Sequence, residues 1–332
     1  MVTLKNIAEK LGVSITTVSR VLNQDKTLSV SDDLRKTIIE TAKKMNYKTP
    51  RNRPSILSKK RYKIAIIHWY NVNEEMDDPY YMQIRRGIQQ LAQKGGLDTT
   101  LIYKVNGKFS SLITQKFDGI ICIGKFSSQQ INQFLRVSKK IVFVDSSPDE
   151  EKYDSVIIDF NYAVKNVLRY IINKRYKKIG YLGGIEHISK NIRLGERREL
   201  VFRDYLYQKN LLNTSYIHVG SFTSESGYRL MKAALAKKDH AEVYFCANDT
   251  IALGALRAIH EKGLKVPTDV SIIGFNDNPT SNYTSPPLST VHVYTEFMGE
   301  ESLRSLIEII EGRDVNMKKI IPTKLLIRKS LK

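Results

Sequence analysis

Apolar positions along this chain follow two regimes. Over the first 45 residues they recur every three or four positions; from Lys63 onward short continuous apolar runs alternate with helical spacing. In the first regime Leu4, Ile7, Ala8 and Leu11 give one helix an apolar face. Gly12 follows, where a helix stops on a residue that tolerates positive φ. Ser14 is placed to cap a second helix that turns Val18, Val21 and Leu22 inward, with Ile15, Thr16, Ser19 and Arg20 on its other side. Leu34, Ile38, Ala42 and Met45 predict a third helix from about Asp32, capped by Ser31. In the second regime KIAIIHW, LDTTLIY, DGIICIG, KIVFVDS, KKIGYLGG, EVYFCAND and DVSIIGFND read as strands. Helical patterns lie between them, around Met82–Lys94, Val164–Ile171, Leu200–Lys209 and Ile251–Ile259. Repeated β-α alternation predicts parallel sheets covered by helices on both faces. Roughly 270 residues of it exceed one core, so two doubly wound lobes are expected. Ligands in such sheets bind beyond the carboxyl ends of the strands, which puts a site in a cleft between the lobes.

Between the regimes lies YKTPRNRPSILSKKRY, where Pro50, Pro54 and the loss of periodicity mark a linker. Nine Lys/Arg and no acidic residue fall between Lys43 and Lys63. The whole chain of 332 residues carries a formal charge of +19, and this clustering beside the helical segment favours a polyanionic partner over a merely solvated face. The two cysteines, Cys122 and Cys246, sit in apolar strand-like runs and read as buried thiols; no metal spacing is present, and neither metal nor cofactor is expected. A P-loop, a nucleophile triad and a paired-carboxylate constellation are all missing, and GYLGG is too short for a dinucleotide fingerprint, so an enzyme is not expected. The absence of a signal-like or membrane-length apolar stretch points to the cytoplasm. A secreted sugar-binding protein would account for two lobes but not for the helical N-terminus.

Two crossing helices with a glycine turn form a helix-turn-helix, whose second helix enters the DNA major groove. The string GVSITTVSRVLN, within Thr3–Asn23, resembles the headpiece of the LacI/GalR family of bacterial transcription repressors. The resemblance continues through ANDTIALGALRAIHEKGLKVPTDVSIIGFND and SPPLSTV to about Lys329. DDPYYMQIRRGI, IGKF and GSFTSESGY resemble the subgroup that answers to galactose or β-galactosides. This implies a helix-turn-helix headpiece (1–47), a basic hinge (48–61) and a periplasmic-binding-protein-like core. One core lobe would comprise 62–160 plus 291–321, the other 161–290 plus 322–332. It also implies a homodimer on a pseudo-palindromic operator in double-stranded DNA, hence nucleoid association, and release by a small sugar.

On the DNA side the resemblance places Ile15, Thr16, Thr17 and Arg20 on the groove face. Arg20 suits guanine O6 and N7, Thr16 a base edge or phosphate, and Ile15 a thymine methyl. Thr3 and Asn23 suit phosphate. Family members carry a hinge-helix leucine that wedges into the minor groove; here Leu57 is the candidate, but Pro54 stands where that helix begins. The alternative is an extended linker following phosphates. On the sensing side Arg198, Asn248 and Asn276 fall at hydroxyl-binding positions, Phe222 where an aromatic packs on the sugar, and Asp145, Asp78 and Tyr80 where the first lobe reaches the cleft. Each also has a plain reading: Asn248 as a helix cap, Phe222 as core, Asp145 as a cap. Many members have Asp where this chain has Asn276, so ligand preference does not transfer directly. The late helix around Met298–Glu311 is a candidate for the dimer interface.

Overall fold

The computed structural model describes residues 4–22, 28, 30–45, 61–105, 108–109, 115–189 and 192–332. Thr3, Asn23, Pro54 and Leu57 lie outside these residues. The chain divides into two units, Met1–Lys59 and Lys60–Lys332.

The first unit contains α1 (Leu4–Leu11), α2 (Ile15–Leu22) and α3 (Asp32–Lys44). Gly12 adopts φ +64°, and the Val13 N–H reaches back to the Ala8 carbonyl at 3.1 Å, closing α1 with a left-handed turn. The Ser14 hydroxyl accepts from the Thr17 N–H at 3.0 Å and so caps α2. Ser31 accepts from the Leu34 N–H and caps α3. Ile7, Ala8, Val18, Val21, Ile38 and Ala42 are buried together, with Leu4, Leu11, Leu22, Leu34 and Met45 packed around them. The three apolar stripes legible in the sequence thus form one small core.

The second unit runs β1 (Lys63–His68), α4 (Val72–Asp77), α5 (Tyr80–Gly95), β2 (Asp98–Tyr103), β3 (Gly119–Ile123), α6 (Ser128–Phe134), β4 (Ile141–Val144) and β5 (Asp154–Ile158). It continues with α7 (Phe160–Asn173), β6 (Ile179–Gly184), β7 (Glu186–Ser189), β8 (Ile192–Leu194), α8 (Arg197–Gln208), β9 (Ile217–Gly220), α9 (Ser224–Leu235), β10 (Val243–Cys246), α10 (Asp249–Glu261) and β11 (Ser271–Ile273). It ends with β12 (Thr290–Val293), α11 (Thr295–Ile310), β13 (Lys318–Ile321) and β14 (Thr323–Leu326).

Two parallel sheets result, one of six strands in the order β13-β5-β4-β3-β1-β2, one of four in the order β11-β10-β6-β9. Each belongs to one lobe. The chain leaves the first sheet at Ile158 and enters the second lobe through α7, which Asp159 caps. It returns through α11, adds β13 to the first sheet's edge, and goes back along β14, antiparallel to β12. The second sheet's strands are buried along their length except β9, as both-face coverage requires.

The apolar face of α11 is spent inside the first lobe. Met298, Leu303, Leu306 and Ile307 are buried, and α11 crosses α5 so closely that a Cβ on Gly299 would lie 2.0 Å from the Ile84 carbonyl oxygen. What this helix leaves outward is half-exposed Phe297 and charged residues, rather than the apolar stripe that suggested an interface.

Candidate functional site: a groove-reading helix and an interlobe cleft

The packing that buries Val18 and Val21 turns the start of α2 outward. Ile15 is 47% exposed and Thr16 is exposed, whereas Thr17 and Arg20 are half-buried. The Thr17 hydroxyl lies 2.8 Å from that of Ser14, so it helps hold the turn as well as flanking the surface. An exposed β-branched aliphatic residue at the first position of a capped helix serves no core. It fits a surface that reads base edges with helix N-terminal residues.

In the second unit the strand ends converge. β1 leads into Trp69 and Tyr70, β3 into Lys125 and β4 into Asp145. From the other lobe, β6 leads into Glu186, β9 into Phe222, and β10 into Asn248. Parallel strands in both lobes thus deliver loops to a common cleft.

The predicted residues meet there in three groups. Asn248 is the cap of α10, accepting from the Ile251 N–H at 2.8 Å, and its side-chain amide also donates to Asp78 of the other lobe at 2.9 Å. The cap reading and the cleft reading are therefore one arrangement: the carbonyl oxygen is fixed by the helix, which aims the amide nitrogen across the cleft. Burial pushes the Asp78 carboxyl above its usual value, and the Asn248 bond pulls the other way. Asp145 accepts from the Tyr80 hydroxyl at 3.0 Å and the Tyr81 hydroxyl at 2.8 Å. Burial drives both phenols far up, so they stay neutral donors.

Arg198 is buried in the second lobe. Its guanidinium carbon stands 5.3 Å from the Phe160 and Phe275 rings and 5.5 Å from that of Phe222. Its Nε donates to Glu196 at 2.6 Å and one terminal nitrogen to the Ala247 carbonyl at 2.7 Å. Burial pushes the Glu196 carboxyl up, but the Arg198 charge and the Tyr181 hydroxyl outweigh it and hold the group below its usual range. Asn276 takes φ +107° just past β11, and its N–H donates to Val291 at 2.8 Å.

Two chambers open between the lobes, of about 200 Å³ and about 210 Å³. Asp78 and Phe222 line the first, Asp145 the second, and Glu186 both. Arg198, Asn248 and Asn276 stand behind these walls. Sequence reasoning missed Trp69, Tyr70, Tyr81, Lys125, Glu186 and Glu196. Trp69, Lys125 and Glu186 follow strand ends, and that position was the available signal. Lys125 and Glu186 form an ion pair that joins the lobes. No group of His, Cys, Asp and Glu among the described residues could hold a metal ion, and no described helix is long and apolar enough to cross a membrane.

A helix-turn-helix and a two-lobed core with a polar, aromatic cleft on one chain have the build of a DNA-binding regulator with a ligand site. Residues 3–50 match bacterial regulatory proteins of the lacI family, and residues 168–331 match the periplasmic binding protein-like domain. The chain is 38% identical to the HTH-type transcriptional regulator GalR of Streptococcus thermophilus, over all of both chains. It is 34% identical to the HTH-type transcriptional regulator GanR of Bacillus subtilis (strain 168), again over all of both. The crystal structure of the lac repressor dimer bound to operator and the anti-inducer ONPF has the same fold, with a TM-score of 0.70 at 24% identity, covering 100% of this chain and 99% of that one. The chain belongs to the LacI family of bacterial regulatory proteins: it is a DNA-binding transcription regulator, not an enzyme.

Proposed function

We propose that this protein is a cytoplasmic repressor that binds a pseudo-palindromic operator as a homodimer and is released by a small sugar, galactose or a β-galactoside. In this reading Arg20 donates to guanine O6 and N7, Ile15 packs on a thymine methyl, and Thr16 and Thr17 meet a base edge or phosphate. Thr3 and Asn23 meet phosphate, and Leu57 either wedges into the minor groove or lies in a linker that follows phosphates. The sugar sits between the lobe formed by 62–160 plus 291–321 and the lobe formed by 161–290 plus 322–332.

The observation that carries the sensing half is the cleft. Aromatic rings (Trp69, Tyr70, Phe222) and acceptors (Asp78, Glu186) share one chamber, which suits the C–H face and the hydroxyls of a sugar. The motifs shared with galactose-responsive members and the relatives named GalR and GanR support the choice of ligand. The mechanism follows from linkage. A sugar that favours a lobe arrangement poorly matched to two half-sites weakens operator binding, and the operator weakens sugar binding by the same factor. A coupling of about 1–3 kcal/mol gives roughly 5- to 150-fold relief.

The test is a gel-shift titration on palindromes upstream of neighbouring sugar genes, with and without galactose. A specific shift that galactose reverses is expected, and Arg20→Ala removes the shift while sugar binding persists. Sugar binding is read from the fluorescence of Trp69, the chain's single tryptophan, which lines the cleft. Absence of a specific shift at every such palindrome overturns the repressor reading.

A further inference from the structure

We propose that the effector is an uncharged sugar of two hexose units, one seated in each of the chambers that flank the Lys125–Glu186 pair. This rests on the cleft being the effector site and adds the size and charge of what fills it.

The two chambers are nearly equal, about 200 Å³ and about 210 Å³. Each alone falls short of the ~300–1,000 Å³ typical of a ligand site, and the two together enter that range. Glu186 is part of both walls, so the chambers are neighbours on either side of one side chain. Each has its own aromatic surface: Phe222 in the first, Phe160 in the second. Both rings pack on the same Arg198 guanidinium, at 5.5 and 5.3 Å, which fixes them at a short, defined separation across the cleft.

Each chamber also has its own polar groups. Glu74, Asp77 and Asp78 stand in the first, Asp145, Ser146 and Ser147 in the second. The partition itself is polar. Lys125 reaches from the first lobe to Glu186 of the second and lies 5.5 Å from the Trp69 ring. Its ammonium can donate to an ether oxygen, and Glu186 can accept from hydroxyls, so a glycosidic link passing the pair meets both kinds of partner. A single hexose fills one chamber and leaves the other to water. In the first chamber four carboxylates (Glu74, Asp77, Asp78, Glu186) face one lysine, Lys104, a balance that disfavours a phosphorylated sugar there.

Calorimetric titration of the full-length protein with galactose, lactose, melibiose, β-1,4-galactobiose and galactose 6-phosphate tests this. At least one disaccharide should bind about tenfold or more tightly than galactose. Leu194→Trp, which fills the second chamber from β8, should shrink that margin, and Ser147→Phe, which narrows it from the other lobe, should do the same. Should either variant fail to fold, the wild-type margin still decides. Galactose binding as tightly as all three disaccharides overturns the proposal and leaves the cleft as a monosaccharide site. Galactose 6-phosphate binding more tightly than galactose overturns the requirement for an uncharged ligand. If none of the five binds, the sugar-site reading falls as well.

Discussion

Replacing Arg198 with alanine probes the centre of the second lobe. The guanidinium is enclosed by three phenylalanine rings, pairs with Glu196 at 2.6 Å and donates to the Ala247 carbonyl at 2.7 Å. Alanine leaves Glu196, only 5% exposed, as a carboxylate without its counter-charge. Breaking a buried pair from one side costs about 3–5 kcal/mol. The lost cation–π contacts, each ~2 kcal/mol when desolvated, belong to the same truncation and do not add to it. Glu196 keeps the Tyr181 hydroxyl at 2.6 Å, the Glu199 N–H at 2.9 Å and the residue-198 N–H at 3.1 Å. The expected loss is therefore at the lower end, about 3 kcal/mol at neutral pH.

The pH dependence gives a second reading. In the wild type the Glu196 carboxyl is held below its usual value, so its contribution is present above the ordinary carboxylate range and is lost as pH falls through the lower folded value. Without Arg198, burial dominates and pushes the carboxyl up. The penalty is then greatest at neutral pH and is relieved as pH falls through the raised value. Urea unfolding followed by circular dichroism at several pH values measures both. A neutral-pH loss under about 1 kcal/mol, or a gap that widens on acidification, refutes the reasoning. Operator affinity should stay near wild type at low denaturant while the sugar response is lost.

Asn248→Asp keeps the α10 cap but sets a carboxylate against Asp78, so effector affinity, followed by calorimetry, should fall at about pH 8 and partly recover at about pH 5.5, where Asp78 takes up a proton. No difference between the two pH values would remove the interlobe contact from the affinity. Gly299→Ala places a methyl 2.0 Å from the Ile84 carbonyl and must push α5 and α11 apart; a loss of about 1–3 kcal/mol is expected in thermal unfolding, and an unchanged midpoint contradicts the close crossing. Burial raises the Asp249 carboxyl to about 7, so its contribution is present below about pH 4 and fades as pH rises towards 7. The stability difference between wild type and Asp249→Asn should move in that direction across this window, and a pH-independent difference speaks against it.

The elements that were legible share one property: each is defined by its own few residues. Gly12, Ser14 and Ser31 stop or start helices by local backbone chemistry, and Val18, Val21, Ile38 and Ala42 fall on one side by period alone. The β7–β8 hairpin was not legible. Its strands are only four and three residues long, too short for an alternation to register, although β7 starts with Glu186. The importance of Glu196 was also hidden, because a glutamate among arginines looks like a solvated charge until its burial is known. Asp78, Asp145, Arg198, Phe222 and Asn248 were legible as candidates only through resemblance, since nothing local marks them.

By itself the sequence determined the helix-turn-helix, the alternation of strands and helices, and the basic stretch between them, because period, caps and charge are properties of neighbouring residues. Tertiary structure alone decided how positions 170 residues apart, Asp78 and Asn248, come to share a hydrogen bond. It also decided that Arg198 spends its charge inside a ring of phenylalanines, and that Lys125 and Glu186 divide one cleft into two chambers. The reason is geometric. Parallel strands gather their carboxyl ends on one edge whatever their order in the chain, so the cleft is assembled from residues that no local pattern connects.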